Sequence, residues 1–288
     1  MIKKSEIFAY LELTKPRIVT MVLVTTLLGF YLASHGAFAF HLLVNLLIGV
    51  TLVSAGSSAL NHYLEREFDA KMMRTRRRPI PMGIIPAENA LNFGVALTLV
   101  GITLLYIKVN ILTAFLSLVT SFLYILVYTP MKRVSWLNTT VGAVPGAVPP
   151  LGGWAAVTGG LSFEAGILFL ILFIWQHPHF YSIAWMLRED YQRGGFKMLP
   201  VVEPDGRRMF RHILAFTIAL IPVSLIPVVI GMSGTIYCSG ALILGAALLW
   251  SVRSFLISQS NLDAKKLLRA TVIYLPVLLL LIVVDISI

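Results

Sequence analysis

Long apolar stretches, separated by short polar segments, recur along almost the whole chain. Each stretch has roughly 20 residues, about the number that an α-helix needs to cross the hydrocarbon core of a bilayer at about 1.5 Å per residue. We predict nine transmembrane helices, at residues 16–34, 41–63, 87–107, 110–129, 138–158, 164–187, 210–231, 234–257 and 267–286. The pattern therefore indicates an all-α polytopic membrane protein in which residues 1–288 form a single domain.

The composition supports this interpretation and excludes a soluble domain. Hydrophobic residues make up 58% of the 288 residues and charged residues only 12%, far from the usual composition of a globular protein in water. The first apolar stretch is too long, and too closely followed by others, to be a cleaved signal peptide.

Basic residues are distributed unevenly among the segments between the predicted helices. If the helices alternate in direction, all of the 23 Lys and Arg residues except Lys108 fall on the side of the N-terminus. Because basic loops stay in the cytoplasm, we predict a cytoplasmic N-terminus and, after nine helices, a C-terminus outside. The same rule accounts for the basic run 74–78, so the net charge of +10 does not indicate a nucleic-acid partner.

Three polar residues spaced four apart lie at the cytoplasmic end of the second predicted helix: Asn61, Glu65 and Asp69. This spacing places their side chains on one helix face. Two carboxylates in this arrangement repel each other and are costly to desolvate near a membrane unless a cation binds them. Magnesium, which takes one or two carboxylates together with phosphate oxygens and water, would suit them. The pattern favours a metal and a phosphate-bearing substrate, the alternative being an ordinary charged helix end.

A second acidic segment, with Glu189 and Asp190, follows the sixth predicted helix. The second and sixth helices are four apart and end on the same side, which indicates two similar four-helix halves plus a ninth helix. We expect the two acidic segments to face each other across one site. Basic residues on the same side are candidates for binding a diphosphate: Lys15, Arg17, Arg74, Arg77, Lys132 and Lys197. Carboxylates that hold metal ions and cations that neutralise a leaving group suit the departure of diphosphate from an allylic chain.

The spacing of Asn61, Glu65 and Asp69 resembles the first motif, Asn-x-x-x-Asp-x-x-x-Asp, of the UbiA superfamily of intramembrane prenyltransferases. The stretch Tyr128-Thr-Pro-Met-Lys132 resembles the superfamily's Tyr-x-x-x-Lys on its fourth helix. Within the superfamily, the chain is most similar to the branch that farnesylates heme, over roughly residues 12–202. The stretches that carry this similarity are Thr14-Lys-Pro-Arg17, Met73-Arg-Thr-Arg76, Arg78-Pro79, Pro145-Gly-Ala-Val-Pro-Pro150, Trp175-Gln-His-Pro-His-Phe180, Arg188-Glu-Asp-Tyr191 and Phe196-Lys-Met-Leu-Pro200.

Two positions depart from the superfamily pattern. Glu65 replaces an Asp of the first motif but remains a carboxylate. The second motif lacks its second acid, because Gly194 stands four residues after Asp190, and the resemblance then implies Glu189 as a substitute ligand for a second magnesium ion.

The resemblance implies a UbiA-like bundle in the bacterial inner membrane with its active site on the cytoplasmic side. It implies that farnesyl is transferred from farnesyl diphosphate to a vinyl group of heme b and that water adds, which gives heme O. A heme A synthase or a terminal oxidase would then be a partner. The implied catalytic residues are Asn61, Glu65, Asp69, Asp190, Lys132 and Tyr128, and the implied Mg²⁺ ligands are Asn61, Glu65, Asp69, Glu189 and Asp190.

Three histidines are candidates for contact with heme. His177 and His179 lie in the cytoplasmic third of the sixth predicted helix, where polar groups usually face the interior of a bundle. His62 follows Asn61 on another face of its helix. A histidine there could ligate iron or bind a propionate, and the alternative is a hydrogen bond between helices.

Other functions remain open at this point. A prenyltransferase for an aromatic quinone precursor would share the metal site without needing His177 and His179. A secondary transporter also has paired halves and intramembrane carboxylates, but it holds them near the middle of the bilayer. A purely structural subunit would leave the acidic face unexplained.

Overall fold

The computed structural model describes residues 4–35 and 39–285, with the backbone alone at residues 4 and 5. Lys3, one of the basic residues predicted on the cytoplasmic side, lies outside the described residues, and so does residue 286 at the end of the last predicted span. The helices are α1 (Lys4–Leu13), α2 (Pro16–Ala33), α3 (Phe40–Asp69), α4 (Ala87–Lys108), α5 (Ile111–Phe122), α6 (Thr129–Met131), α7 (Asn138–Ala147), α8 (Pro149–Thr158), α9 (Phe163–Met186), α10 (Arg188–Arg193), α11 (Leu199–Val202), α12 (Arg207–Val229), α13 (Thr235–Ser258) and α14 (Asn261–Val284). A π-helical turn, Leu123–Tyr128, joins α5 to α6.

The all-α membrane fold predicted from the apolar pattern is confirmed. Within the described part of the chain, eight helical segments are long and apolar enough to cross a membrane. The predicted span at 138–158 is instead divided into α7 and α8, so nine unbroken spans are not observed. The division falls before Pro149 and Pro150, which have no N–H to continue the helical hydrogen bonds.

Close helix packing brings α8 against α2. A Cβ atom on Gly153 would collide with the carbonyl oxygen of Thr26, and one on Gly29 would collide with that of Pro150. Small residues allow two backbones to approach in a membrane, where van der Waals contact replaces the hydrophobic effect between helices. The break in the fifth span therefore places α8 directly on the N-terminal half of the bundle.

Helix α3 is longer than predicted, with 30 residues that continue to Asp69 instead of ending near residue 63. It packs along most of its length against α4, where Gly56 and Gly94 allow close contact. Because the helix is continuous, Asn61, Glu65 and Asp69 remain on one rigid element.

Helix α9 lies at the centre of the C-terminal half, in contact with α7, α12 and α14. Most of its buried apolar residues belong to one large cluster that also takes in side chains of α12, α13 and α14. The same helix therefore carries His177 and His179 among α7, α12 and α14.

Candidate active site

The polar face of α3 is buried against the rest of the protein. Asn61, Glu65 and Asp69, which share one helix face by their four-residue spacing, expose only 1%, 5% and 0% of their surface. Burial of two carboxylates is costly unless each has a charged or hydrogen-bonding partner. The partners of these three side chains therefore define the site.

Each of the three residues contacts a different basic side chain. Nζ of Lys15 donates a hydrogen bond to Oδ1 of Asn61 at 2.5 Å. Nζ of Lys132 lies 2.7 Å from Oε1 of Glu65. Nη1 of Arg78 lies 2.6 Å from Oδ2 of Asp69.

The three basic residues come from three separate segments, which we call the cation triad: Lys15, Arg78 and Lys132. Lys15 lies between α1 and α2. Its backbone φ is 49°, in the left-handed region that is unfavourable for residues with a Cβ atom. Pro16 follows it, and the contact with Asn61 holds its ammonium group. Arg78 belongs to the loop after α3, and Lys132 directly follows α6. Three loops thus converge on one face of α3.

Burial and neighbouring charges set the ionisation of the two lysines of the triad. Burial, followed by the positive charge of Arg78, lowers the pKa of Lys15 to about 7. Burial also acts to lower the pKa of Lys132, but the Glu65 carboxylate and the nearby tyrosines outweigh it and raise that pKa. With three basic and two acidic side chains, the face lacks the negative charge that a bound anion would supply.

The π-helical turn places two tyrosines next to Lys132. Tyr124 and Tyr128 stack with ring centroids 5.6 Å apart, and Nζ of Lys132 lies 4.5 Å from the centroid of Tyr128. The turn is tied to α3 because Nδ2 of Asn61 donates to the hydroxyl of Thr129 at 3.0 Å. Single π-turns within α-helices are frequent at functional sites. Tyr128 was predicted from its motif, whereas Tyr124 was not.

Two buried groups at this face lack hydrogen-bond partners among the described residues. They are Oδ1 of Asp69 and both ring nitrogens of His62. His62 is within electrostatic reach of all three members of the cation triad. An unpaired buried oxygen or nitrogen is costly, so these atoms are suited to contact a bound ion or substrate.

The donor set fits magnesium in its chemistry. Within the described residues, no three His, Cys, Asp or Glu side chains gather closely enough to hold a metal by themselves. Glu65 and Asp69 nevertheless supply the one or two carboxylates that Mg²⁺ usually takes from a protein, with the amide oxygen of Asn61 on the same face and the remaining positions going to phosphate and water. The unpaired Oδ1 of Asp69 is an available ligand atom.

Asp190 and Glu189 are placed differently from the carboxylates of α3. The Asp190 carboxylate accepts hydrogen bonds from the backbone N–H groups of Met73 and Arg74, both at 3.1 Å, and from Nη1 of Arg193. Glu189 has a side chain that is 77% exposed and pairs loosely with Arg193 at 3.7 Å. The two acidic segments do meet, but through this loop contact and without forming one metal cluster with Glu65 and Asp69.

The other predicted diphosphate-binding residues, Arg17, Arg74, Arg77 and Lys197, are exposed. Arg74 lies over the ring of Tyr191 at 5.9 Å, and the backbone N–H of Lys197 donates to the carbonyl of Lys132 at 2.7 Å. Arg78, which contacts Asp69, was missed as a site residue. Its only signal in the sequence was its place in the stretch Arg78-Pro79.

The two histidines of α9 lie between helices. Nδ1 of His177 lies 2.9 Å from the Phe173 carbonyl, and its ring stacks on Phe216 with centroids 3.6 Å apart. Nδ1 of His179 lies 2.9 Å from the hydroxyl of Thr271 on α14. His62 lies instead at the cation triad. His212 on α12, which the sequence did not single out, contacts the hydroxyl of Tyr181 at 3.1 Å.

Comparison with known sequences identifies the family of the chain. Residues 22–275 match the UbiA prenyltransferase family. A protoheme IX farnesyltransferase of Solibacter usitatus is 47% identical over 285 residues, which cover 96% of this chain and 98% of that protein. Those of Koribacter versatilis and Salinibacter ruber are 41% and 42% identical, each over 96% of this chain and over 92% and 98% of their own lengths.

Solved structures show the same fold at much lower identity. A digeranylgeranylglyceryl phosphate synthase superposes with a TM-score of 0.82 at 18% identity, over 98% of both chains. A UbiA homolog from Archaeoglobus fulgidus, solved with GPP and Mg²⁺, superposes with a TM-score of 0.66 at 15% identity, over 96% of this chain and 99% of that one. Given the family match over residues 22–275, the integral membrane bundle described above belongs to the UbiA prenyltransferase family.

Proposed function

We propose that this chain transfers a farnesyl group from farnesyl diphosphate to a vinyl group of heme b, with addition of water, and so makes heme O. Prenyl transfer from a diphosphate is supported by the pairing of three basic side chains with the three oxygen-bearing residues of α3. Such a face can bind a diphosphate and a divalent cation together. The acceptor is supported by relatives at 41–47% identity that are named protoheme IX farnesyltransferase.

In this mechanism, the bond between the allylic carbon and the diphosphate oxygen breaks, and the electron pair leaves with the diphosphate. Lys15, Arg78 and Lys132 bind its oxygens and stabilise the charge that develops on them. Asn61, Glu65 and Asp69 would hold Mg²⁺, which, when bound, supplies Lewis-acid stabilisation of the same charge.

The allylic cation is then attacked by the π electrons of a heme vinyl group. The cation that this leaves on the vinyl substituent is captured by water, which loses a proton. Tyr124 and Tyr128, stacked beside Lys132, present electron-rich ring faces close to the site of ionisation, and such faces stabilise a cation. The surrounding apolar helices hold the fifteen-carbon chain and limit the access of water.

Asp190 acts in this proposal through the loop after α3. Its bonds to the N–H groups of Met73 and Arg74 hold the segment that leads to Arg78. The exposed Arg17, Arg74, Arg77 and Lys197 surround the mouth of the site, where they attract the anionic diphosphate from the cytoplasm. We place the N-terminus on that side of a bacterial inner membrane, with residues 1–288 as one domain and with a heme A synthase or a terminal oxidase as the recipient of the product.

The test is to incubate the purified protein in detergent with heme b, farnesyl diphosphate and Mg²⁺, and to measure the mass of the heme product. We expect a gain of one farnesyl group plus one hydroxyl group, abolished by a chelator. The matched variants are Glu65→Gln, in which the paired carboxylate is lost, and Glu67→Gln, in which the changed side chain is 73% exposed on the same helix.

Only the first variant should lose activity. If the protein prenylated an aromatic quinone precursor and formed no product on heme, the proposed metal and diphosphate site would stand, but heme b would not be the acceptor. If product still formed in the presence of the chelator, the proposed requirement for Mg²⁺ would be wrong.

A further inference from the structure

The two histidines of α9 differ in what their ring nitrogens contact. Both nitrogens of His177 are engaged, because Nδ1 faces the Phe173 carbonyl at 2.9 Å and Nε2 faces the Thr140 hydroxyl at 3.3 Å. In His179, Nδ1 faces the Thr271 hydroxyl at 2.9 Å, and Nε2 has no partner among the described residues. The residue as a whole is only partly buried, and this Nε2 is not among the fully buried unpartnered atoms of the described residues.

The hydrogen bonds around Thr271 determine which nitrogen of His179 carries the proton. The Thr271 hydroxyl donates its hydrogen to the Leu268 carbonyl at 2.7 Å, so towards His179 it can only accept. Nδ1 of His179 must therefore be the N–H donor, and in the neutral ring Nε2 then bears a free lone pair.

The ring of His179 is held in this orientation from a second side. The Trp175 ring stacks on it with centroids 4.8 Å apart, and Nε1 of Trp175 donates to the Thr271 carbonyl at 2.8 Å. Thr271 thus bonds to both aromatic residues and fixes them to α14. A metal-ligating histidine usually shows this arrangement, in which the other ring nitrogen donates to a fixed acceptor and the lone pair is pre-aligned.

His179 also lies at a depth in the bundle that can be compared with that of the polar face of α3. It precedes the end of α9 at Met186 by seven residues, about 10 Å along the helix, and Asn61 precedes the end of α3 at Asp69 by eight residues, about 12 Å. The two helix ends are tied together, because Asp190 after α9 bonds to the backbone after α3. Counted from these tied ends, His179 and Asn61 therefore lie at similar depths along their helices.

We propose that Nε2 of His179 is the axial ligand of the heme b iron, with Thr271 as its positioning residue. This inference rests on the proposed function in taking heme b as the acceptor. Coordination uses the existing lone pair, so no proton has to be released. It fixes the macrocycle by its iron and leaves the vinyl groups at its edge free to react. His177, whose nitrogens are both engaged, does not ligate the iron.

The experiment loads the purified full chain, labelled with ¹⁵N-histidine, with ferric heme b and measures the ¹⁵N hyperfine coupling to the iron by pulsed EPR. We expect coupling to one histidine in the wild-type protein and in His177→Ala, and its loss in His179→Gly. Added imidazole should restore the ligand field in His179→Gly, which shows that this variant is folded. Thr271→Val should weaken heme affinity by about tenfold, as loss of an outer-shell partner does, and Thr271→Ser should restore it.

Coupling that survives in His179→Gly, or that disappears in His177→Ala instead, overturns the inference. The proposed function is tested separately by the heme O assay. If wild-type protein shows the His179 coupling but makes no heme O, the ligand assignment stands and the proposed function fails. If it makes heme O without any histidine coupling, the proposed function stands and the ligand assignment fails.

Discussion

Nζ of Lys132 lies 2.7 Å from Oε1 of Glu65, although 67 residues separate them in the chain. Both side chains are largely buried, with 14% and 6% exposed. Removing one member of a buried ion pair leaves the other without compensation. The charge of Glu65 is therefore compensated by Lys132, which is one of the basic side chains that we propose to bind the diphosphate.

The Glu65→Gln variant tests this pair. We expect heme O formation to fall by about a hundredfold or more, the scale of loss when a charge-stabilising group is removed from an active site. The initial rate at saturating substrates is the measurement, and Glu67→Gln on the exposed side of the same helix is the control. Equal rates for both variants would mean that the Glu65 carboxylate has no part in catalysis.

The Asp69→Ala variant tests the metal site. The residue is fully buried, and one of its carboxylate oxygens has no hydrogen-bond partner among the described residues. We expect turnover to be nearly abolished while the protein still inserts into the membrane, because a metal ligand is lost and little packing changes. Turnover is measured as a function of Mg²⁺ concentration, and membrane fractionation shows whether the variant is still inserted. Full activity would remove Asp69 from the site.

Arg78 and Arg77 form a matched pair of adjacent cations, of which only Arg78 reaches Asp69. A charge-assisted hydrogen bond contributes about 1.5–3 kcal/mol, which corresponds to about tenfold or more in binding. We therefore expect Arg78→Gln to raise the KM for farnesyl diphosphate at least about tenfold more than Arg77→Gln does. A larger effect at Arg77 would show that the exposed mouth dominates diphosphate binding.

The Asp190→Asn variant separates a metal ligand from a loop anchor. The carboxylate bonds to two backbone N–H groups of the loop, and an amide with one oxygen cannot replace both bonds. We expect faster amide hydrogen exchange in residues 72–78 and an unchanged Mg²⁺ concentration for half-maximal activity. Unchanged exchange together with a higher Mg²⁺ requirement would identify Asp190 as a metal ligand.

Two glycines of the broken fifth span test the position of Tyr128. A Cβ atom on Gly142 would lie 2.5 Å from the Tyr128 ring, whereas one on Gly152 would meet nothing within 4 Å. We expect Gly142→Ala to displace the ring under Lys132 and to reduce the rate of heme O formation by about tenfold, with little change for Gly152→Ala. If both variants were fully active, the site would not depend on the placement of this tyrosine.

The sequence alone predicted the membrane class, most helix positions and the polar face of α3. These features depend on local spacing, because an apolar length near 20 residues and a four-residue repeat have the same meaning wherever the chain lies. The resemblance to a family was also carried by short motifs, and the family match over residues 22–275 confirms it.

Tertiary structure decided which of many similar side chains lie at the site. Little in the local sequence separates Arg78 from Arg77, or His179 from His177, because each pair has the same side chain in nearly the same segment. Their difference arises from partners far away in the chain. Nδ1 of His179 meets Thr271 across 92 positions, and Asp190 reaches Met73 across 117. Spacing along one helix determines which residues share a face, but only the packing of several helices determines what that face contacts.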